Sequence, residues 1–343
     1  MNTAMTLEQF LSEWHSEDPT LLVHTSGSTG QPKPLRVEKV RMLNSARITC
    51  DFLKLCPNDT ALLCMPLDYI AGKMVVVRSI ERKLRLMYVK PSGNPLSDAS
   101  LAQLSNPNEP ITFAAMVPLQ VFNTLQNSKE RERLQRIRHL IIGGGSIDDG
   151  LSEQLKDFPN AVWSTYGMTE TLSHIALRRL NGNKRSDWYT PFDSVKVSLN
   201  SNDCLVIDAP AVCTECLETN DIAELRQSED GKRTEFRILG RKDNTINSGG
   251  IKVQMEEVEQ ALRPHIVAPF LITKRKNKKF GEEIVLLTEA NDLEEIRNAC
   301  TKVLPRYWQP AYYQHVSSIP TTETGKIARA KAMQMLDQTA QKT

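Results

Sequence analysis

Along the chain, short apolar runs alternate with longer segments in which apolar residues recur every three or four positions. Leu7, Phe10, Leu11 and Trp14 form a first helical stripe in an otherwise polar, acidic stretch. Leu21, Leu22 and Val23 make a strand-like run, and Val40, Leu43, Ile48, Phe52 and Leu55 follow an approximately helical spacing. Residues 61–65, 84–89, 111–117, 139–142 and 161–165 read as short buried strands, with helical patterns between several of them. This alternation predicts an α/β sheet packed with helices. Ligands of such sheets collect where loops leave the carboxyl ends of strands. The loops at 25–33, 143–146 and 166–170 are three such exits, each rich in glycine or hydroxyls.

The pattern changes further on. Residues 195–199 and 205–208 read as hairpin strands, and the charged segment Leu239-Gly240-Arg241-Lys242-Asp243 follows. Beyond it come Gly249-Gly250, a helix over 255–262, strands over 270–273 and 284–287, a helix near 293–303 and an apolar strand over 312–316. A chain of 343 residues exceeds what one core usually serves. We therefore expect a large N-terminal domain of β-sheets packed with helices, residues 1–240. A hinge at 241–243 joins it to a small α+β C-terminal domain, residues 244–343.

Composition narrows the classes. Lys and Arg total 43 against 41 Asp and Glu, a net charge of +2 that gives no reason to expect nucleic acid. No apolar run reaches membrane-spanning length. The first residues resemble neither a signal nor a transit peptide, so a cytoplasmic protein is expected. The seven cysteines are odd in number, and Cys213-Thr-Glu-Cys216 lacks the second ligand pair of a zinc site, so free thiols are expected.

The densest chemistry lies in residues 24–34, His-Thr-Ser-Gly-Ser-Thr-Gly-Gln-Pro-Lys-Pro. Gly27 and Gly30 let the backbone come close to a ligand, and consecutive N–H groups form an anion-binding concavity. Thr25, Ser26, Ser28 and Thr29 add hydroxyl donors, and Lys33 adds a point charge. The set suits a polyphosphate, although Lys33 does not directly follow a glycine as it would in a P-loop.

Several motifs stand in one order from residue 25 to 329. These are Thr25–Lys33 (TSGSTGQPK), Tyr166–Thr171 (YGMTET), Thr219-Asn220-Asp221 in a loop after a strand, Gly240–Asp243, Ser248-Gly249-Gly250, Glu256-Glu257-Val258-Glu259 and Pro320–Arg329 (PTTETGKIAR). In this the chain resembles the acyl-adenylate-forming, AMP-binding superfamily of acyl-CoA synthetases, peptide-synthetase adenylation domains and luciferases. Within it the chain is most similar to the o-succinylbenzoate–CoA ligase family of menaquinone synthesis. Three features carry that: a short chain, Pro66-Leu67-Asp68-Tyr69-Ile70-Ala71-Gly72-Lys73, and Asn247-Ser248-Gly249-Gly250-Ile251-Lys252. Two positions depart from the pattern. Tyr69 stands where a histidine or another aromatic is frequent, and Asn220 replaces a glycine.

The resemblance implies a ligase that uses ATP, Mg²⁺ and coenzyme A to turn a small-molecule carboxylate into acyl-AMP and then a thioester. Lys326 would bridge the carboxylate and the nucleotide, Glu170 would hold Mg²⁺ and Thr169 would touch the α-phosphate. Gly143, Gly144 and Gly145 would let backbone approach adenine, with Tyr166, next to Gly167, offering its ring. Asp221 and Arg241 would hold the ribose. Asp243 would be the hinge, and Gly249-Gly250 would leave a passage for pantetheine. Lys73 and Arg78 are candidates for a second substrate carboxylate, with Tyr69 as a gate and His174 either lining the same pocket or simply packing.

The basic run Lys274-Arg275-Lys276-Asn277-Lys278-Lys279 reads first as a solvated hairpin tip and second as a phosphate clamp for coenzyme A. Competing functions are another acyl-CoA synthetase, an adenylation enzyme loading a separate carrier protein, since the chain ends at Thr343 without one, and a non-catalytic nucleotide-binding module. Nothing in the residues indicates an oligomeric state.

Overall fold

The computed structural model describes residues 4–24, 34–102, 110–321 and 327–340. Helix α1 (Leu7–His15) opens with a capping box, in which Gln9 N–H donates to Thr6 Oγ1 and Thr6 N–H donates to Gln9 Oε1. Strands β1 (Thr20–His24) and β2 (Pro34–Glu38) then pair antiparallel as a separate ribbon. Next in order come α2 (Lys39–Phe52), β3 (Thr60–Leu63), α3 (Ile70–Arg82), β4 (Arg85–Tyr88), β5 (Phe113–Met116), α4 (Pro118–Leu125) and α5 (Ser128–Arg136). They are followed by β6 (His139–Ile142), α6 (Asp149–Leu155), β7 (Ala161–Gly167), β8 (His174–Arg179) and β9 (Thr190–Pro191).

The main sheet has the order β4-β3-β5-β6-β7-β8-β9. Its first five strands are parallel, and β8 and β9 add on antiparallel. Every residue of β3 and of β5 is buried, as expected for parallel strands covered on both faces. The mixed α/β fold read from the alternation of patterns is therefore the fold observed.

Four antiparallel strands make a second sheet: β10 (Lys196–Leu199), β11 (Cys204–Asp208), β12 (Leu217–Gln227) and β13 (Thr234–Arg241). After a 3₁₀ turn at Lys242–Asn244 come β14 (Thr245–Ser248), β15 (Ile251–Gln254), α7 (Met255–Leu262), β16 (Phe270–Asn277), β17 (Gly281–Thr288), α8 (Leu293–Val303), β18 (Tyr312–His315) and α9 (Arg329–Ala340). The last sheet runs β15-β14-β17-β16, and β18 pairs parallel with β17. Buried apolar residues up to Phe236 form one cluster, and those from Ile246 onward form two others. No described helix is long and apolar enough to cross a membrane.

The structure corrects the sequence reading at five places. The loop at 25–33 lies outside the described residues, but the strands flanking it form a ribbon apart from the main sheet, so it is not an exit of that sheet. Tyr166 and Gly167 belong to β7, and Thr219-Asn220-Asp221 belongs to β12, so neither is loop. Four of the six residues of the basic run, 274–277, are strand: Lys274 pairs with Glu282 at 3.0 Å and Arg275 pairs with Glu283, both on β17. Cross-strand carboxylates neutralise Lys274 and Arg275, while Lys276, Lys278 and Lys279 remain exposed at the tip of the hairpin, as first read.

On α2 the apolar spacing found only part of the buried surface: Leu43, Ile48 and Phe52 pack half-buried against the core and Leu55 beyond the helix is buried, but the most buried face is another one. Val40 is 59% exposed, while Met42, Ser45, Ala46, Thr49 and Cys50 are buried. Small residues let α2 lie close against α3, and the Thr49 hydroxyl bonds to the Ser45 carbonyl at 3.1 Å instead of water.

Close approach also fixes the start of α3. A Cβ at Gly72 would sit 2.3 Å from the Pro66 carbonyl oxygen, so the loop 66–69 folds back directly onto the helix. Gly72→Ala is expected to destabilise the protein by about 1–3 kcal/mol, the usual range for overpacking. Chemical denaturation checks this, and an unchanged midpoint would show that the loop yields freely.

Candidate active site

A cavity of about 440 Å³ opens at the carboxyl ends of the parallel strands. Met65 and Pro66 beyond β3, Val117 beyond β5, Gly143 and Gly144 beyond β6, and Met168 and Thr169 beyond β7 line it. This is where a parallel sheet with right-handed connections leaves its loops, and the size is that of a small-molecule site. His24, the last described residue before the hydroxyl-rich loop, also lines it. Thr25, Ser26, Gly27, Ser28, Thr29, Gly30 and Lys33 themselves lie outside the described residues, as does Lys326.

The floor is built by contacts that admit few substitutions. A Cβ on Gly143 would lie 2.2 Å from Thr165 Oγ1, which only glycine avoids, and Gly144 has φ of +80°. Gly145 is not among the lining residues. Gln120 ties three segments together: its Oε1 accepts from Val117 N–H at 3.1 Å, and its Nε2 donates to the carbonyls of Cys64 (3.2 Å) and Ser92 (2.9 Å).

The turn after β7 carries Thr169, buried in the cavity wall, and Glu170, exposed beside it. Thr171 braces that turn, accepting from Met168 N–H at 3.0 Å and donating to the Ser173 carbonyl at 2.7 Å. The next residue, Leu172, is buried at φ of +64°. A bulky side chain in that region stores about 1–3 kcal/mol of strain, which the packed surroundings must sustain. The Cys213 thiol donates to the Glu170 carbonyl at 3.4 Å, and burial pushes it up to about 11, so it stays protonated.

Among the described residues one cation of the Lys or Arg type stands in the cavity wall. Arg78 on α3 is 1% exposed; its Nη2 donates to Ser173 Oγ at 2.6 Å and Thr49 Oγ1 at 3.3 Å. Its Nε is buried with no hydrogen-bond partner, and among the described residues no carboxylate lies within salt-bridge distance. Burial lowers Arg78 to about 10, so it remains charged at neutral pH.

His174 sits between the same two hydroxyls, with Nε2 3.1 Å from Thr49 Oγ1 and Nδ1 3.2 Å from Ser173 Oγ. Burial, and then the charge of Arg78, hold His174 well below its ordinary range, so it is neutral. Tyr69, the residue capping α3, lines the cavity as well. Lys73 does not. It is five residues from Arg78, about 140° around the helix. Its Nζ lies 3.1 Å from Met5 Sδ and 5.3 Å from the Phe10 ring centre, against α1.

A second group forms where β7, β12 and β13 meet. The Tyr166 hydroxyl donates to Asp221 Oδ2 at 2.6 Å, and Arg241 Nη1 donates to Asp221 Oδ1 at 3.0 Å. Arg241 Nη2 continues to Asp243 Oδ2 at 3.0 Å, which Asn220 Nδ2 also reaches at 3.4 Å. The Tyr166 ring packs edge-on against Phe236, with centres 5.0 Å apart, and burial and the Asp221 charge raise its phenol far above the usual range. The structure thus unites Tyr166, Asp221, Arg241 and Asp243, and adds Asn220.

Gly249 and Gly250 turn between β14 and β15 with φ of +58° and +87°, and a Cβ on Gly250 would meet open space. Among the described residues no cluster of three or more His, Cys, Asp or Glu is arranged to hold a metal ion. Sequence reasoning missed Thr49, Gln120, Thr171 and Ser173. Two signals were present: Thr171 closes the Tyr166–Thr171 motif, and Ser45 and Thr49 are a polar pair at i and i+4 in a helix.

The chain belongs to the AMP-binding enzyme family, whose sequence profile matches residues 4–212. Among its relatives is the 2-succinylbenzoate–CoA ligase of Haemophilus influenzae, 26% identical over 313 residues, covering 86% of this chain and 66% of that one. The Bacillus cereus enzyme of the same name is 23% identical over 356 residues, covering 95% and 72%. The chain therefore spans about two thirds of the length of the first of these relatives.

A solved acyl-CoA synthetase (AMP-forming)/AMP-acid ligase II-like protein from Dyadobacter fermentans is 30% identical, covers 95% of this chain and 92% of its own, and superposes with a TM-score of 0.61. O-succinylbenzoate coenzyme A synthetase of Bacillus subtilis, solved with ATP and magnesium, has the same fold at 20% identity, covering 90% and 69%, with a TM-score of 0.73.

The neutrality of His174 sets a pH response. Its folded pKa is depressed, so the unfolded chain binds the extra proton first as pH falls. Stability present above the unfolded value of about 6.5 is then lost at about 1.4 kcal/mol per pH unit per proton. His139, lowered to about 4 by burial, adds a similar loss. His174→Asn is expected to make the fall in stability between about pH 6.5 and 5 shallower by one proton, measured by urea unfolding across that range. An unchanged slope would mean that His174 is charged in the fold.

Proposed function

We propose that the chain activates a carboxylate with ATP as acyl-AMP, releasing pyrophosphate, and passes the acyl group to the thiol of coenzyme A, releasing AMP. The acid is o-succinylbenzoate, and the reaction is a cytoplasmic step of menaquinone synthesis. The observation that carries this reading is Arg78: a buried guanidinium with an unpartnered Nε, in a wall shared with Met65, Ile70, Val117 and Leu172. Removing a charge from water costs several kcal/mol unless a partner arrives. An aromatic dicarboxylic acid supplies apolar surface for the wall and one carboxylate for Arg78, leaving the other to react. The names of the Haemophilus and Bacillus relatives support the same acid.

The remaining roles follow the motifs. Residues 25–33, ending in Lys33, take the triphosphate. Thr169 faces the α-phosphate from the cavity wall. The exposed Glu170 carboxylate beside it fits Mg²⁺, a hard cation that prefers oxygen ligands and would neutralise phosphate charge. Asp221 accepts one hydrogen bond on each oxygen and keeps lone pairs for the ribose hydroxyls. Arg241 holds that carboxylate in place, and Tyr166 fixes it from the other side.

Lys326 brings positive charge to the reacting carboxylate and α-phosphate. Residues 1–240 and 244–343 act as two domains turning about 241–243. The contacts of Asp243 with Arg241 and Asn220 hold one orientation, and Gly249-Gly250 offers pantetheine a way in for the other.

Incubation with ATP, Mg²⁺ and a panel of acids tests the reading. Pyrophosphate is released with o-succinylbenzoate, and a thioester appears on adding coenzyme A. Arg78→Met raises KM for that acid about 10²-fold and leaves KM for ATP unchanged, as loss of one partner of a buried charge pair does. Equal turnover of mono- and dicarboxylic acids by the unaltered protein would contradict the assignment.

A further inference from the structure

We propose that Arg329 is a positioning residue for Lys326, acting through a buried ion pair with Glu259 that closes the open edge of β16. The proposal rests on the reading that Lys326 serves acyl-AMP formation. β16 ends the order β15-β14-β17-β16, so among the described residues its outer backbone groups have no neighbouring strand. At Ile272 side chains take that strand's place. Ile272 N–H donates to Glu259 Oε1 at 2.9 Å, and the Ile272 carbonyl accepts from Arg329 Nη1 at 2.7 Å. The two side chains are themselves joined as a fork, Nη1 to Oε1 and Nη2 to Oε2, each at 2.8 Å. Their side chains are only 5% and 18% exposed. One ion pair therefore locks α7, β16 and the first residue of α9 together.

Its place in the chain gives the lock its consequence. Thr321 and Ile327 pair as an antiparallel bridge, and Ala328 N–H donates to the Pro320 carbonyl at 2.8 Å. Residues 320–321 and 327–328 are thus held side by side, and Arg329 is the next residue along. The ends of the segment that contains Lys326 are registered to the small sheet by this fork. Two motifs far apart in sequence, Glu256–Glu259 and Pro320–Arg329, are parts of one construction.

Only arginine suits the position. A lysine keeps the charge but cannot span both carboxylate oxygens and a carbonyl in one plane. A shift of about 1 Å in a positioned group costs about 10²-fold in rate. The clamp is accordingly expected to matter most in the half-reaction that uses Lys326.

The test uses the full chain, with Arg329→Lys and Glu259→Gln as mild variants. Glu259→Gln keeps an oxygen for Ile272 N–H while removing the charge. Four quantities are measured: pyrophosphate release from ATP and o-succinylbenzoate, thioester formation from pre-formed acyl-AMP and coenzyme A, the initial rate of trypsin cleavage after Lys326 followed by mass, and the melting temperature.

In both variants acyl-AMP formation is expected to fall about 10²-fold with KM for ATP unchanged, while the thioester step changes far less. Cleavage after Lys326 is expected to rise about tenfold relative to other sites, as local opening becomes easier. Equal losses in both half-reactions, no loss in either, or unchanged cleavage would overturn the proposal. Should the unaltered protein form no acyl-AMP, the functional reading fails, and the cleavage rates alone decide the clamp.

Discussion

A buried guanidinium with no carboxylate beside it among the described residues is the constraint around which the cavity is organised. Arg78 is held by two hydroxyls, Ser173 and Thr49, and neither neutralises it. Such a charge persists only if the fold over-determines its position. The surroundings do so. α2 presents small residues so that α3 can approach, Thr171 braces the turn that supplies Ser173, and His174 stays neutral between the same hydroxyls. The strain at Leu172 lies in that same turn. What the protein spends in desolvation and backbone strain is concentrated at one wall of one cavity, where an anion would recover it.

The second organising interaction runs through Asp221. Its carboxylate receives Tyr166 from the main sheet and Arg241 from β13, and Arg241 passes the chain of contacts to Asp243. A strand of the second sheet is thereby linked to the turn that precedes the last sheet. In the proposed mechanism the nucleotide-facing carboxylate and the turning point share one arginine, so ribose binding and lobe orientation are coupled through a single side chain. Asn220, which replaces a glycine of the family pattern, adds a further donor to Asp243.

Much of this was legible in the residues. Short apolar runs located the parallel strands, because burial on both faces leaves continuous apolar stretches, and α7 and α8 were placed to the residue. The ordered motifs pointed to the family. Four things were not legible. The most buried face of α2 was overlooked because close helix packing selects small residues, which an apolar count does not see. The edge of β7 and the strand identity of 219–221 were hidden because glycine and aspartate read as loop while the ladder around them tolerates both. The choice of Arg78 over Lys73 for the cavity depends on the angle around α3, and the two look alike in sequence. The ion pair of Glu259 and Arg329 joins residues 70 positions apart, and no local pattern announces it.

The central claim is that the lone guanidinium awaits a carboxylate. A crystal structure of the protein with the acyl-adenylate of o-succinylbenzoate, or its sulfamoyl analogue, tests it most directly. The account predicts the free carboxylate of the acyl group within hydrogen-bond distance of Arg78 Nε, with Ser173 and Thr49 still on Nη2. A complex in which that carboxylate faces solvent and Arg78 Nε keeps no partner would contradict it.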